Sequence, residues 1–418
     1  MTETTTDAPV EARRPGADEQ ADGLKSDEGR AKRRRRRRRK GPKKETDAQN
    51  GAAEARRADA SSTPPQPRKP AEKPRNAGAP GVVAAIDLGT NNCRLLVAAP
   101  RKGGFRVVDA FSRIVRLGEG VSLTGRLSDA AMDRTVEALK ICADKINRRG
   151  VARSRCIATQ ACRGAANAEE FVARVKEETG LAFDIISAEE EARLGVRGCS
   201  TLLDPTVSGA LVFDIGGGST EVSWLDMSAW GEQEAARGKA PPIVSWLSMP
   251  LGVVSLHERF GETGFGRSEY EAIVEEVSER VRAVVGVERI RAAFDAGDAH
   301  LLGTSGTVTS IAGVHLRLPA YDRSRVDGLW MRSDEAQAVC DRLSHMSYDE
   351  RTQEPCIGTS RAELVNYGCA IYEGVARAYP AERLRIADRG LREGVLAGLF
   401  ASARRRRGRR GGKRKSAS

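Results

Sequence analysis

The sequence has no long hydrophobic run and few aromatic residues. Phe, Trp and Tyr make up 5% of its 418 residues, and no stretch approaches the roughly 20 apolar residues that span a bilayer. The first residues are acidic and polar, unlike a signal peptide. These absences argue against a membrane protein and predict a cytoplasmic location.

Clustered metal ligands are also missing. The eight cysteines contain no C-x-x-C pair, and the four histidines are scattered along the chain. Structural zinc sites and disulfide frameworks both depend on regularly spaced ligands, so neither is expected. Most cysteines lie in apolar segments, which predicts buried, reduced thiols.

Positive charge is concentrated at the two ends. Residues 1–80 hold 21 Lys and Arg against 13 Asp and Glu, and residues 404–418 hold nine basic residues and no acid. Between them, residues 81–403 carry 39 basic and 44 acidic residues. High charge with few aliphatic residues predicts disordered tails. Such tails attract polyanions, either polyphosphate or RNA, by counterion release, or they are solvated segments without a dedicated partner.

Two segments repeat the same order of residues. Leu211–Trp224 (LVFDIGGGSTEVSW) is an apolar strand ending in Asp214, then three glycines, a Ser-Thr pair and a second strand, and Val82–Ala98 (VVAAIDLGTNNCRLLVA) repeats that order. Glycines leave backbone N–H groups open to a phosphate. One such loop could be an ordinary hairpin. Two of them predict related half-domains that face a shared cleft.

Three acidic residues, Glu189–Glu191, open a predicted helix after Ser187. Acids in a first turn stabilise a helix through its dipole, and Ser187 with Glu190 matches a capping box. The alternative is a catalytic carboxylate that deprotonates an attacking water. The glycine loop that follows this helix along the chain favours the second interpretation.

Two further loops carry polar residues. Arg163 lies before a helix for which Asn167 and Glu170 predict a cap, and it is either an anion ligand or a solvated loop residue. The segment TSGTVTSIAG follows the strand His300–Gly303. It forms either an anion-binding strand-to-helix turn or a tight turn without a ligand.

Five ordered segments together resemble the exopolyphosphatase and guanosine pentaphosphate phosphohydrolase (Ppx/GppA) family of the actin, sugar kinase and heat-shock ATPase superfamily. They are AAIDLGTNNCRLLVA, ATQACRGAAN with EEFVARVKEETGL, IISAEEEARL, VFDIGGGSTEVSW, and LLGTSGT with ADRGLREGV. The resemblance implies an α/β fold with two actin-like (ribonuclease H-like) domains, 81–195 and 196–403, that face a cleft. It also implies that the last helix packs back on the first domain. The charged tails at 1–80 and 404–418 are not part of the shared pattern.

The resemblance also implies roles for individual residues. Glu191 matches the family's general base, while Asp87, Asp214 and Glu221 match acids that hold Mg²⁺ or order water. The implied phosphate contacts are Gly89, Thr90, Asn91, Arg163, Gly216, Gly217, Gly218, Ser219, Gly303, Ser305 and Gly306. Asn92 stands where the family usually has Ser, and the helical C-terminal extension of longer members is absent, which bears on processivity.

The implied activity is that of a bacterial, magnesium-dependent exopolyphosphatase that releases orthophosphate from inorganic polyphosphate. Hydrolysis of guanosine pentaphosphate is the alternative reaction, and a homodimer is compatible with either. A phosphate- or RNA-binding protein without turnover is the alternative of another class, and the presence of Glu191, Asp214 and Glu221 argues against it.

Overall fold

The computed structural model describes residues 81–415 except 103, 237–238 and 262–264. They belong to the second of two compact units, Glu72–Ser418. The predicted N-terminal tail, 1–80, lies outside the described residues. None of the helices within the described ranges is long and apolar enough to cross a membrane.

The first half of the described chain forms a five-stranded mixed sheet. Its strands are β1 (Val83–Leu88), β2 (Asn92–Arg101), β3 (Gly104–Ile114), β4 (Arg153–Ala158) and β5 (Phe183–Ile185). They are arranged in the order β3-β2-β1-β4-β5. The β1, β2 and β3 strands pair antiparallel, whereas β4 and β5 extend the sheet in parallel with β1.

The second half forms a six-stranded sheet with the same plan. Its strands are β6 (Gly209–Ile215), β7 (Thr220–Asp226), β8 (Ile243–Met249), β9 (Ala299–Thr304), β10 (Trp330–Arg332) and β11 (Arg383–Ala387). The order is β10-β11-β9-β6-β7-β8. Here β6, β7 and β8 are antiparallel and β9 and β11 parallel to β6, so only β10 has no counterpart in the first sheet. The predicted α/β class with two repeated hairpins is confirmed.

Sixteen helices connect and cover the sheets within the described ranges. They are α1 (Val121–Thr124), α2 (Asp129–Arg148), α3 (Gln160–Arg163), α4 (Ala168–Thr179), α5 (Ala188–Cys199), α6 (Glu232–Ala236), α7 (Val253–Phe260), α8 (Arg267–Arg282), α9 (Glu288–Asp295), α10 (Ser305–His315), α11 (Arg323–Val326), α12 (Ser333–His345), α13 (Tyr348–Gln353), α14 (Thr359–Ala362), α15 (Val365–Ala378) and α16 (Leu391–Lys415). A short 3₁₀ turn, Ser200–Leu202, follows α5.

The alternation of the central strands directs their acids toward one layer of helices. In β1, Ala84 and Ile86 pack on the side of α2 and α4, whereas Val83 and Ala85 pack against α5 and α16. Because side chains alternate along a strand, Asp87 lies on the α5–α16 side.

The central strand of the second sheet repeats this arrangement. In β6, Ala210 and Val212 pack with Val196 and Cys199 of α5, while Leu211 and Phe213 face the opposite core. Asp214 therefore lies on the α5 side. The layer of α5 and α16 brings the acidic ends of both central strands to a common region.

Two glycines allow α5 and α16 to cross closely. A Cβ atom on Gly198 would overlap the carbonyl oxygen of Gly390, and one on Gly394 would overlap that of Leu194. Any larger residue would push the helices apart, because both obstacles are backbone atoms. The crossing places Gly390 and the start of α16 beside the last turn of α5.

Two local predictions differ from the structure. Asn167 does not cap α4 through its side chain, which instead exchanges hydrogen bonds with the backbone N–H and carbonyl of Leu127, at 2.9 and 3.0 Å. The last helix passes residue 404, the predicted start of the C-terminal tail, and ends at Lys415. Ala and Arg are good helix formers, so a helix begun by apolar residues continues into the arginine run.

Candidate active site

The two hairpin turns contact each other directly. A Cβ atom on Gly217 would lie 3.1 Å from the Cβ of Thr90 and 3.2 Å from the backbone nitrogen of Asn91, and one on Gly218 would lie 2.5 Å from the Thr90 hydroxyl. Glycine is therefore needed at both positions for the turns to meet. This packing role accompanies the open backbone that the sequence predicts there.

Backbone donors of the second turn remain available. The carbonyl of Gly217 accepts from the N–H groups of Val254 and Ser255, at 2.7 and 3.2 Å, which holds the turn against α7. The N–H groups of Gly217 and Gly218 have no acceptor within the described part of the chain. The side-chain oxygen of Asn91 is buried and also lacks a partner among these residues. Unsatisfied buried groups of this kind favour a polar ligand.

A cleft of about 740 Å³, open to solvent, lies between the two turns and the start of α16. Most of the sequence-predicted residues line it: Asp87, Gly89, Thr90, Asn91, Glu191, Asp214, Gly216, Gly217, Gly218, Ser219 and Ser305. Ser305 has φ of 81°, a left-handed conformation that non-glycine residues rarely adopt. Such strain is often found where a side chain or backbone group serves a ligand.

Four predicted residues lie outside the lining of this cleft. Gly303 is inside β9, where a Cβ atom would meet Phe213, and Gly306 lines a neighbouring cavity. Glu221 is buried in β7. The guanidinium of Arg163 donates a hydrogen bond to Glu191 and does not line the cleft. Gly303 therefore has a packing role in this arrangement.

The three adjacent glutamates have three different partners. Glu189 forms an ion pair with Arg193 at 3.7 Å, and Glu190 forms one with Arg155 at 2.8 Å. Only Glu191 lines the cleft, where it accepts a hydrogen bond from Arg163 at 2.6 Å. Helix stabilisation accounts for the first two acids and not for the third.

Residues 96–403 match the sequence model of the Ppx/GppA phosphatase family. The chain belongs to this family. It is therefore a hydrolase of phosphoric anhydrides, as the sequence predicts. The family match covers both hairpin-containing sheets except for β1 and the first part of β2.

Relatives and solved structures agree with this membership. The chain is 30% identical over 334 residues to exopolyphosphatase 2 of Mycobacterium tuberculosis, covering 76% of this chain and 98% of that protein. The crystal structure of an Aquifex aeolicus Ppx/GppA family member is 27% identical, with a TM-score of 0.62 over 77% of this chain and 98% of that one. An exopolyphosphatase from Cytophaga hutchinsonii has 21% identity and a TM-score of 0.64, over 77% and 98% of the two chains, which supports the fold.

Burial raises the pKa values of the acids in this Ppx/GppA cleft. It places the pKa of Asp214 at about 7, with the charges of Glu221 and Asp87 adding to the effect. Burial, followed by the charge of Glu221, also raises the pKa of Glu191 well above its usual range, while Arg163 opposes the shift. The pKa of Glu221 is raised by burial against hydrogen bonds from Ser219 and Ser248. A cleft with several carboxylates that resist ionisation is suited to a cationic partner.

These shifts predict that the metal-free protein loses stability as pH rises. The folded protein keeps a proton on Asp214 up to about pH 7, whereas the unfolded chain releases it near 3.8. The folded state thus binds more protons between these values, so the free energy of unfolding falls across that window. Asp214→Asn should remove about 1–3 kcal/mol of this loss after allowance for partial exposure.

Urea unfolding of full-length protein in chelator at pH 5 and pH 8 measures this effect. We expect Asp214→Asn to be more stable than the wild type at pH 8 and to differ little at pH 5. An equal pH dependence in the two proteins would contradict the burial of a titrating carboxyl at this position.

The cleft fits a metal ion that is held partly by substrate. Asp87 and Asp214 both line it, but the described residues contain no group of three His, Cys, Asp or Glu side chains placed to hold a metal. Glu221 does not line the cleft, and one of its oxygens accepts hydrogen bonds from Ser219 and Ser248, at 2.7 and 2.9 Å. Mg²⁺ commonly binds one or two carboxylates together with phosphate oxygens and water. Of the three predicted acids, Asp87 and Asp214 line the cleft, and the metal-binding role of all three stays a prediction.

Several residues of the cleft were not assigned a role from the sequence. Arg94 lies directly opposite Asp87 in the β1–β2 register, so pairing the two strands outward from the hairpin turn would have placed it beside Asp87. The others are Thr159, Gln160, Thr304, Asp388, Arg389, Gly390, Leu391 and Arg392. The pKa of Arg392 is lowered, first by burial and then by the charge of Arg94. No local pattern places the start of α16 in the cleft, because that depends on its packing against α5.

Proposed function

We propose that this chain is a magnesium-dependent exopolyphosphatase that removes the terminal phosphate of inorganic polyphosphate. The observation that carries the proposal is Glu191, a carboxylate in the cleft beside the glycine turns and held by Arg163. The name of the Mycobacterium tuberculosis relative, exopolyphosphatase 2, supports the choice of substrate.

In the proposed reaction, Glu191 accepts the proton of a water that attacks the terminal phosphorus. Its ion pair with Arg163 at 2.6 Å holds the carboxylate in one orientation. The N–H groups of Gly217 and Gly218 bind oxygens of the phosphate, where negative charge is present throughout the reaction. Asp87 and Asp214 would hold Mg²⁺, which supplies positive charge to the phosphate oxygens when bound.

A specific observation favours guanosine pentaphosphate as a second candidate substrate. A cavity of about 890 Å³ adjoins the cleft, sharing Asn91, Arg94 and Ser305 with it. Its wall includes the apolar residues Ile114, Ile215, Val253, Leu364 and Val365. Apolar walls with a few polar groups suit a nucleoside, whereas linear polyphosphate has nothing to place there.

Steady-state kinetics on both substrates test the proposal. We expect orthophosphate release from polyphosphate with a kcat/KM above that for guanosine pentaphosphate. The reverse ranking would make the nucleotide the preferred substrate, and no release from either would overturn both proposals.

The charge of residues 1–80 predicts a salt-dependent role in capturing long substrates. The region carries 21 basic and 13 acidic residues, while 81–403 has more acids than bases. Deletion of 1–80 should therefore raise KM for long polyphosphate at low salt and leave it unchanged for tripolyphosphate, and high salt should remove the difference. Equal KM values for long polyphosphate at low salt, with and without these residues, would assign the tail to another partner, with RNA tested first.

A further inference from the structure

The arginines in and around the cleft differ in whether they already form an ion pair with another residue of the protein. Arg163 is paired with the proposed base, and Arg389 donates to both carboxylate oxygens of Asp327, at 3.1 and 3.0 Å. Arg94 and Arg392 line the cleft, yet neither forms a side-chain hydrogen bond or a close ion pair with the residues that the structure describes. Asp87 lies opposite Arg94 in the β1–β2 register, so a carboxylate is near, but the N–H donors of the two guanidinium groups are not hydrogen-bonded within the described residues.

The segment around Arg392 is held rigidly. The adjacent Glu393 is buried and accepts from the backbone N–H of Gly390 and from Arg323, each at 3.0 Å. Gly390 itself packs against Thr304, whose hydroxyl donates to the carbonyl of Arg389 at 2.6 Å. Glu393, the acid nearest to Arg392 in sequence, therefore already has other hydrogen-bond partners. The guanidinium of Arg392 is left facing the cleft from a fixed backbone.

From this geometry we propose that Arg392, together with Arg94, binds a phosphate group of the substrate. The assignment deepens the proposed function and rests on it for the identity of the substrate. A guanidinium presents two parallel N–H donors that match two oxygens of one phosphate, which an ammonium group does not. Arg392 is thus a substrate-binding residue contributed by the last helix of the fold.

Binding of tripolyphosphate to a slow variant tests this assignment without relying on turnover. Calorimetry would compare full-length Glu191→Gln with Glu191→Gln/Arg392→Gln in Mg²⁺ and at high salt, where tail charges are screened. We expect the second substitution to weaken binding by about 10- to 100-fold, the value of a charged hydrogen-bonding pair. Arg392→Met on the same background should give a similar loss, and it replaces the glutamine variant if that protein fails to fold.

Arg197 offers a matched control for net charge. It is exposed on α5, does not line the cleft and has no carboxylate partner within the described ranges. Glu191→Gln/Arg197→Gln should bind tripolyphosphate within about twofold of its parent, since a distant exposed charge is screened. Binding by the Arg392 variants that is equal to this control would overturn the proposal, even if their melting temperatures fell.

A parallel turnover assay of the wild type separates this proposal from the proposed function. Phosphate release by the wild type with unweakened binding in the Arg392 variants would retain the function and reject Arg392. Weakened binding in those variants without release by the wild type would retain Arg392 as an anion ligand and reject the exopolyphosphatase activity.

Discussion

Replacing Glu191 by Gln should lower kcat on polyphosphate by about 10²-fold or more, the typical contribution of a general base. Glutamine keeps the size of the side chain but cannot accept the proton of the attacking water. Because Glu191 is proposed to contact that water and not the substrate chain, KM should change little. Phosphate release by full-length protein, measured across substrate concentrations, separates the two parameters.

Glu190 provides the control for this experiment. It adjoins Glu191 in the first turn of α5 but pairs with Arg155 at 2.8 Å. Glu190→Gln should therefore leave kcat within about twofold of the wild type, because surface ion pairs contribute little. If both substitutions had the same effect, the loss would reflect the stability of α5, and Glu191 would not be the base.

Removal of divalent metal should abolish turnover, and Mg²⁺ should restore it. Asp87 and Asp214 line the same cleft, and the charge of Asp87 contributes to the raised pKa of Asp214, so a bound cation would reduce their repulsion of a polyanion. Asp214→Asn should raise the Mg²⁺ concentration for half-maximal activity by about 10-fold or more, at least the effect of losing a residue that supports a metal ligand.

Asp226 is a suitable comparison for Asp214. It ends β7 in the same sheet, where it accepts from Ser228 and pairs with Arg289 at 3.3 Å. Asp226→Asn should leave the Mg²⁺ dependence unchanged. Full activity of the wild type in excess chelator would contradict the proposed role of the metal.

The sequence predicted the parts of the site that lie within a single hairpin. The repeated order of strand, acid and glycines placed Asp87 and Asp214 correctly at the ends of β1 and β6, because strand alternation and turn chemistry are local properties. The choice among Glu189, Glu190 and Glu191 was decided in the sequence only by family resemblance. The structure adds the physical reason, since only Glu191 lines the cleft, whereas the first two pair with arginines that do not line it.

Features that depend on distant packing were not predictable from local patterns. Asn167 matches the sequence pattern of a helix cap. Its side chain instead forms two hydrogen bonds with the backbone of Leu127, which lies far away in sequence. Glu221 follows the glycine loop as a metal ligand would, but it is buried and does not line the cleft, and Ser219 and Ser248 both donate to one of its oxygens. Arg392 reaches the cleft only because α16 crosses α5 at glycines.

A single turnover in ¹⁸O-labelled water, with the enzyme in excess over tripolyphosphate, tests the central claim most directly. Attack of water on the terminal phosphorus places the label in the released orthophosphate, and the pyrophosphate that remains carries none. We predict this distribution for the wild type with Mg²⁺, and its formation should be slowed by about 10²-fold or more in Glu191→Gln. Label in the pyrophosphate, or no orthophosphate release at all, would contradict hydrolysis of the terminal phosphoanhydride in this cleft.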